Sequence, residues 1–252
     1  MAQGMQRRLG GLPRFLQRQH GLEGIDVPKH LLEVNGEPIL ARTIRLVQEL
    51  TSQWTIWEKP IIHVVGWPEH AAAAPPYGLI TLDEPGQCVL DGIAQTRKFW
   101  GSGRVLVLLG DVVFSRAALR SILWDRSPLF WAGGLVHSDG SHKSGRAEIF
   151  GMGLGACMQD FVSFLLDDAP CRAPGRTGYA GGHLRRLLWE AHRIIVMKAT
   201  RSTEQYHPWA PQQAPNGPLF RLIDDWTDDI DTFEDVAKLE DFSRWAKAEE
   251  QC

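Results

Sequence analysis

Apolar positions along this chain fall into two kinds of run. RVLVLL (Arg104 to Leu109) is continuous and stops at Gly110-Asp111, which predicts a strand buried on both faces. PIIHVVG (Pro60 to Gly66) predicts a second strand, and LFWAGGLV and RIIVMKA carry weaker strand patterns. In PILARTIRLVQEL the apolar residues Ile39, Ala41, Ile44, Leu46, Val47 and Leu50 form a helical stripe, and QCVLDGIAQTRKFW predicts a second helix. A last helix is marked by Thr232 as cap, Asp235 three residues on, and Val236, Leu239, Phe242 and Trp245 at helical spacing. Asn35-Gly36 predicts a tight turn, and HPWAPQQAPNGP (His207 to Pro218) a loop. Strands alternating with helices predict an α/β fold, a mostly parallel or mixed sheet flanked by helices, and no internal repeat interrupts the pattern.

Composition narrows the class. At 252 residues, 44% hydrophobic and 23% charged, the chain fits one sizeable domain spanning 1–252 with a real core. A net charge of -3 implies no bulk attraction to nucleic acid or to a membrane surface, so any phosphate binding must be local. Cys88, Cys157, Cys171 and Cys252 never fall in a C-x-x-C pair, so neither a disulfide framework nor a zinc site is signalled. The basic N-terminus lacks an apolar core, and no run reaches the roughly 18 apolar residues of a membrane span. A cytoplasmic location is the expectation.

Three stretches carry residue types suited to phosphate chemistry. In MAQGMQRRLGG, Gly4 and Gly10-Gly11 flank Arg7 and Arg8: glycines let backbone N–H groups approach phosphate oxygens, and an arginine fork clamps them. A basic surface terminus is the plainer alternative. Lys29, in VPKHLLEVNGEP, suits a point charge on a phosphate or, equally, a solvated surface lysine. Asp111 follows a predicted strand, where ligands bind in open α/β sheets, and DDWTDDIDTFED (Asp224 to Asp235) precedes the last helix. Such hard oxygen ligands suit Mg²⁺, although helix capping also accounts for Asp235.

Taken in order, these stretches resemble the nucleotidyltransferases of the GT-A-like α/β fold, a Rossmann-type three-layer sandwich whose members include sugar-phosphate, phosphocholine and molybdenum-cofactor nucleotidyltransferases. Ala2-Gln3-Gly4-Met5-Gln6-Arg7-Arg8-Leu9 is similar to that family's opening A-A-G-x-G-x-R-L signature, with Gln6 in place of its second glycine. Pro28-Lys29-His30-Leu31-Leu32 and Val34 to Leu40 resemble its lysine segment, Gly110-Asp111 its strand-end G-D, and Ile230-Asp231-Thr232-Phe233-Glu234-Asp235-Val236 its late acidic segment.

The resemblance implies transfer of a nucleoside monophosphate from an NTP to a phosphorylated small-molecule acceptor, releasing pyrophosphate. It implies that the backbone of Ala2, Gln3 and Gly4 faces the nucleotide, that Arg8 holds the leaving phosphates, that Lys29 neutralises charge near the α-phosphate, and that Asp111 and Asp231 hold Mg²⁺. Gly86 and Gln87 are candidate base contacts. Residues 115–214 do not align and are the expected acceptor-binding section, where Lys143, Arg146, Glu148, Arg176, Tyr179 and His183 are polar candidates among what read as loops. Relatives place a β-strand ahead of the glycine loop, whereas only Met1 precedes Ala2; the expectation is a lost first strand or another segment in its place, with homo-oligomerisation through the open edge as one consequence. Two alternatives remain: a metal-dependent glycosyltransferase reading Asp229-Ile230-Asp231 as D-x-D, and a degenerate domain that binds a nucleotide or protein without turnover.

Overall fold

The computed structural model describes residues 29–55, 60–66, 79–81, 89–136, 146–167, 184, 187–188, 190–192, 194–195, 219–230 and 238–250. In chain order its strands are β1 (Glu33–Val34), β2 (Glu37–Pro38), β3 (Val64–Gly66), β4 (Leu79–Thr81), β5 (Val105–Leu108), β6 (Val112–Val113), β7 (Leu129–Val136), β8 (Arg146–Leu154), β9 (Phe220–Leu222) and β10 (Asp228–Asp229). Its helices are α1 (Ile39–Leu50), α2 (Val89–Gln95), α3 (Arg116–Trp124), α4 (Gln159–Asp167) and α5 (Leu239–Glu250). They fall into two compact units interleaved in sequence: one takes residues up to 81, 109–123 and from 225 onward, the other 82–108 and 124–224.

The first unit begins with the hairpin that Asn35-Gly36 predicts. Both residues adopt positive φ, 59° and 75°, the pair a two-residue reverse turn needs between antiparallel β1 and β2. Pro38 then opens α1, a place where its missing N–H costs nothing. Helix α1 buries Ile39, Leu40, Ile44, Leu46, Val47 and Leu50, so most of the predicted stripe is the core face. Arg42 and Thr43 are buried with them, while Ala41 is only partly covered. Leu32, Val34, Ile39, Val113, Ile230, Leu239, Phe242 and Ala246 form one apolar cluster, with Trp226 packed against it. On the helix surface Arg45 pairs with Glu37 at 2.9 Å, Glu49 at 2.7 Å and Glu250 at 3.1 Å, and Arg116 also reaches Glu49 at 2.7 Å.

The second unit is built on a four-stranded sheet in the order β5-β8-β7-β9. The predicted sheet is therefore mixed: β8 is antiparallel to both β5 and β7, while β9 runs parallel to β7. Strand β5 is the RVLVLL strand, yet its side chains are half-buried, because among the described residues it pairs on one edge only. LFWAGGLV is strand β7 throughout, with an irregularity between Ala132 and Gly133. A Cβ on Gly133 would lie 1.8 Å from the Glu148 carbonyl oxygen, so the close approach of β8 requires glycine there.

Two expectations need correction. Ile194 and Ile195, read within a strand RIIVMKA, lie in a π-helical turn. Buried Leu184, Leu187, Leu188 and Ala191 carry a helical stripe into them, and that longer period prevails over the short β-branched run. Arg146 and Glu148, read among loops, stand on strand β8, where Gly151 and Gly153 sit opposite Leu108 and Leu106 and interrupt the apolar pattern that would have marked a strand. QCVLDGIAQTRKFW is helical from Val89, but tightens into a 3₁₀ turn over Thr96–Phe99.

Candidate functional site

The site is built from the first unit, where two sequence-distant segments meet. Strand β6 pairs antiparallel with β10, Val112 opposite Asp229 and Val113 opposite Asp228. The ladder continues one step, as the Ile230 N–H donates to the Asp111 carbonyl at 3.1 Å. This brings partly buried Asp111 beside the residue that immediately precedes Asp231. Burial favours this register: Val112, Val113 and Ile230 are all essentially without exposure, and a one-residue slip of β10 would put a half-buried aspartate in the place of Ile230.

The other end of this ladder is held by a polar knot. Ser115 N–H donates to Thr227 Oγ1 at 2.9 Å, its hydroxyl donates to Asp225 at 2.5 Å, and the Thr227 N–H donates to Asp225 at 2.8 Å. Ser115 Oγ also accepts from the Ala118 N–H at 2.8 Å, capping α3. Arg42 donates through Nη1 to the Phe114 carbonyl at 2.6 Å and stands 5.6 Å from the Trp226 ring centroid. Burial depresses its pKa, against the opposing pull of Glu249. Burial likewise pushes Glu49 toward its neutral form, but hydrogen bonds from Arg45 and Arg116 outweigh this and hold its carboxyl below the usual range.

The acidic stretch from Asp224 to Asp235 thus divides by role. Asp225 ties the strand ends together, and Asp228 pairs with Lys238 at 3.3 Å. Asp111 meets this segment through the backbone bond from Ile230. Lys29 opens a 3₁₀ turn, Lys29–Leu31, which leads into the hairpin and α1; the Ile39 N–H donates back to the Leu32 carbonyl at 2.9 Å. The Lys29 side chain, and Ala2, Gln3, Gly4, Arg8, Gly86, Gln87 and Asp231, lie outside the described residues, as do Lys143, Arg176, Tyr179, His183, the 207–218 loop and the cap Thr232 with Asp235. Sequence reasoning missed Arg42, Ser115 and Thr227. A buried arginine inside an amphipathic helix carries no sequence signal that separates it from a solvated one.

Arg104 is a second such cation, in the second unit: its guanidinium stands 5.2 Å from the Phe130 ring centroid, and its three nitrogens are buried without an acceptor among the described residues.

The fold is that of solved nucleotidyltransferase α/β structures. A Bacillus anthracis protein assigned as a glucose-1-phosphate thymidylyltransferase, in complex with a sucrose, is 13% identical, with 86% of this chain and 87% of that one covered and a TM-score of 0.53. A nucleotidyl transferase from Methanothermobacter thermautotroptrophicus is 16% identical, with 97% and 95% covered and a TM-score of 0.52. At these identities the likeness speaks to fold alone. The family model described as MobA-like NTP transferase domain matches residues 10–142, more than half of the chain, and the protein belongs to that family. No curated protein matches the sequence. No helix among the described residues is long and apolar enough to cross a membrane.

Proposed function

We propose that this protein transfers a nucleoside monophosphate from an NTP to a phosphorylated small-molecule acceptor, with a sugar phosphate as the favoured acceptor class. The observation that carries this reading is the backbone bond from Ile230 to Asp111, which draws together the two segments whose carboxylates the sequence resemblance assigns to one ion. An acceptor phosphate oxygen attacks the α-phosphorus of the NTP, the bond from that phosphorus to the β-phosphate bridging oxygen breaks, and pyrophosphate leaves. Arg8 holds the leaving phosphates, and Lys29 offsets the negative charge that grows on the α-phosphate oxygens. Backbone N–H groups of Ala2, Gln3 and Gly4 orient the triphosphate, with Gly86 and Gln87 toward the base.

The donor set fits a hard divalent cation. Carboxylate oxygens from Asp111 and Asp231 suit Mg²⁺, and neither thiolate nor imidazole is called for. Bound there, Mg²⁺ would supply neutralisation of the phosphate charges. Residues 115–214 supply the acceptor contacts, and the chain works as one nucleotidyltransferase domain in the cytoplasm. Pyrophosphate release with each common NTP, Mg²⁺ and a set of sugar phosphates tests the proposal. Release that needs both NTP and acceptor, and that stops on chelation, supports it. Tight NTP binding without release from any acceptor would favour a domain that binds without turnover, for which Gln6 in the glycine loop speaks. Turnover of a nucleotide sugar instead would favour glycosyl transfer.

A further inference from the structure

We propose that Arg42 is a positioning residue for nucleotidyl transfer, locking the strand pair that presents Asp111 and leads to Asp231 onto helix α1; this rests on the function proposed above. Arg42 is 2% exposed, yet among the described residues its guanidinium has only the Phe114 carbonyl as acceptor, and Nε and Nη2 are buried without one. A buried cation so poorly satisfied is a costly way to fill space, since a methionine of similar reach would leave no donor stranded. Its two contacts account for the cost. Phe114 directly follows β6 and Trp226 stands two residues before β10, so both lie at the same end of the antiparallel ladder. Asp111 and Ile230 lie at the other end, three residues or about 10 Å along the strand.

A two-stranded ladder is a lever: slack at the Phe114–Trp226 end rotates the Asp111 end. The polar knot of Ser115, Thr227 and Asp225 joins the two strands to each other, and Arg42 adds a hydrogen bond from α1 to the packing of Ile39 on Val113 and Ile230. That helix is in turn tied to the Lys29 segment through Ile39 N–H and the Leu32 carbonyl. Trp226 extends the contact further, packing in a tilted arrangement with ring centroids 6.1 Å from both Phe242 and Trp245 of α5. Arg42 therefore adds a polar, directional grip to the apolar cluster of Leu32, Ile39, Val113 and Ile230, which packs the lysine segment against the aspartate strands.

The test compares Arg42→Met, Arg42→Lys and Trp226→Leu with the wild type, each assayed well below its melting midpoint for kcat, NTP KM and the Mg²⁺ concentration giving half-maximal rate. Misplacement of a reacting group by about 1 Å costs up to about a hundredfold in rate, so Arg42→Met is expected to lose about tenfold or more in kcat. Its half-saturating Mg²⁺ should rise several-fold while NTP KM stays within about twofold. Arg42→Lys, which keeps a donor for the Phe114 carbonyl, should recover most of the rate. Wild-type kcat and Mg²⁺ dependence in Arg42→Met, with only a lowered melting midpoint, would overturn the inference. Should Arg42→Met not fold, Trp226→Leu decides: loss in kcat at unchanged KM supports the clamp, and wild-type kinetics refute it. An inactive wild type would instead bring down the proposed reaction itself, visible before any variant is made.

Discussion

Replacing Ile230 by alanine should separate the packing of strand β10 from its chemistry. The side chain has no exposure and packs in the cluster of Leu32, Val34, Ile39, Val113, Leu239, Phe242 and Ala246. Truncation removes three carbons from a site where neighbours on α1, α5 and β6 cannot all move inward, so the transfer loss adds to a cavity term, about 2–5 kcal/mol in total. Against the roughly 5–15 kcal/mol that holds a typical domain together, that is a large fraction. The Ile230 N–H would still face the Asp111 carbonyl, so the strand pair should persist in the variants that fold. Urea denaturation followed by far-UV circular dichroism reads the loss as a lower midpoint at unchanged slope. Ile230→Val should cost about 0.5–1.5 kcal/mol, the gentler step on the same scale. Assayed well below the midpoint, Ile230→Ala should also lose kcat, because β10 leads directly to Asp231. A loss below about 0.5 kcal/mol, the range of ordinary surface changes, would refute the packing argument. A clear loss of stability at wild-type kcat would show that β10 does not set the position of Asp231.

Asp111→Asn and Asp231→Asn should each abolish Mg²⁺-dependent turnover while leaving the fold intact, as circular dichroism would read; unchanged turnover in either would remove it from the metal site. Lys29→Ala should lose far more kcat than NTP affinity, measured by steady-state kinetics beside calorimetry, and the opposite split would make it a binding residue only. Gly133→Ala places a carbon 1.8 Å from the Glu148 carbonyl oxygen and should destabilise the four-stranded sheet by about 1–3 kcal/mol in thermal melts, whereas a neutral result would mean that β7 and β8 separate freely there. The Glu49 pairs give a pH signature. With its folded pKa depressed, Glu49 contributes stability above its unfolded pKa and loses it as the pH falls through the folded value. The group is 39% exposed and screened, so Glu49→Gln should cost under about 1 kcal/mol at neutral pH, and the gap from wild type should close in acid.

Local rules made part of this protein legible. Asn35-Gly36, the α1 stripe and the RVLVLL strand each follow from one residue period or one turn preference, and all appear where they were read. Gly110-Asp111 at the end of an apolar run pointed to Asp111 for a similarly local reason. Strand β8 was hidden because glycines that admit close neighbours, such as Gly153 beneath Phe130, replace the apolar residues that would have announced a strand. The short β10 was hidden in a run of acids, and only its pairing with β6 separates Asp225 as a structural tie from the approach to Asp231. Arg42 was illegible for a different reason. Its burial depends on Phe114 and Trp226, which are far from it in sequence, and a helical period cannot report such contacts.

Phosphorus NMR of the wild-type protein with an NTP, Mg²⁺ and a sugar phosphate tests the central claim most directly. Nucleotidyl transfer predicts loss of the three NTP resonances and of the acceptor monoester, with a coupled diphosphate pair from the new P–O–P bond appearing alongside one equivalent of pyrophosphate. A spectrum that instead develops nucleoside diphosphate with orthophosphate, or with a newly phosphorylated acceptor, would place the attack at the γ-phosphorus and contradict the account.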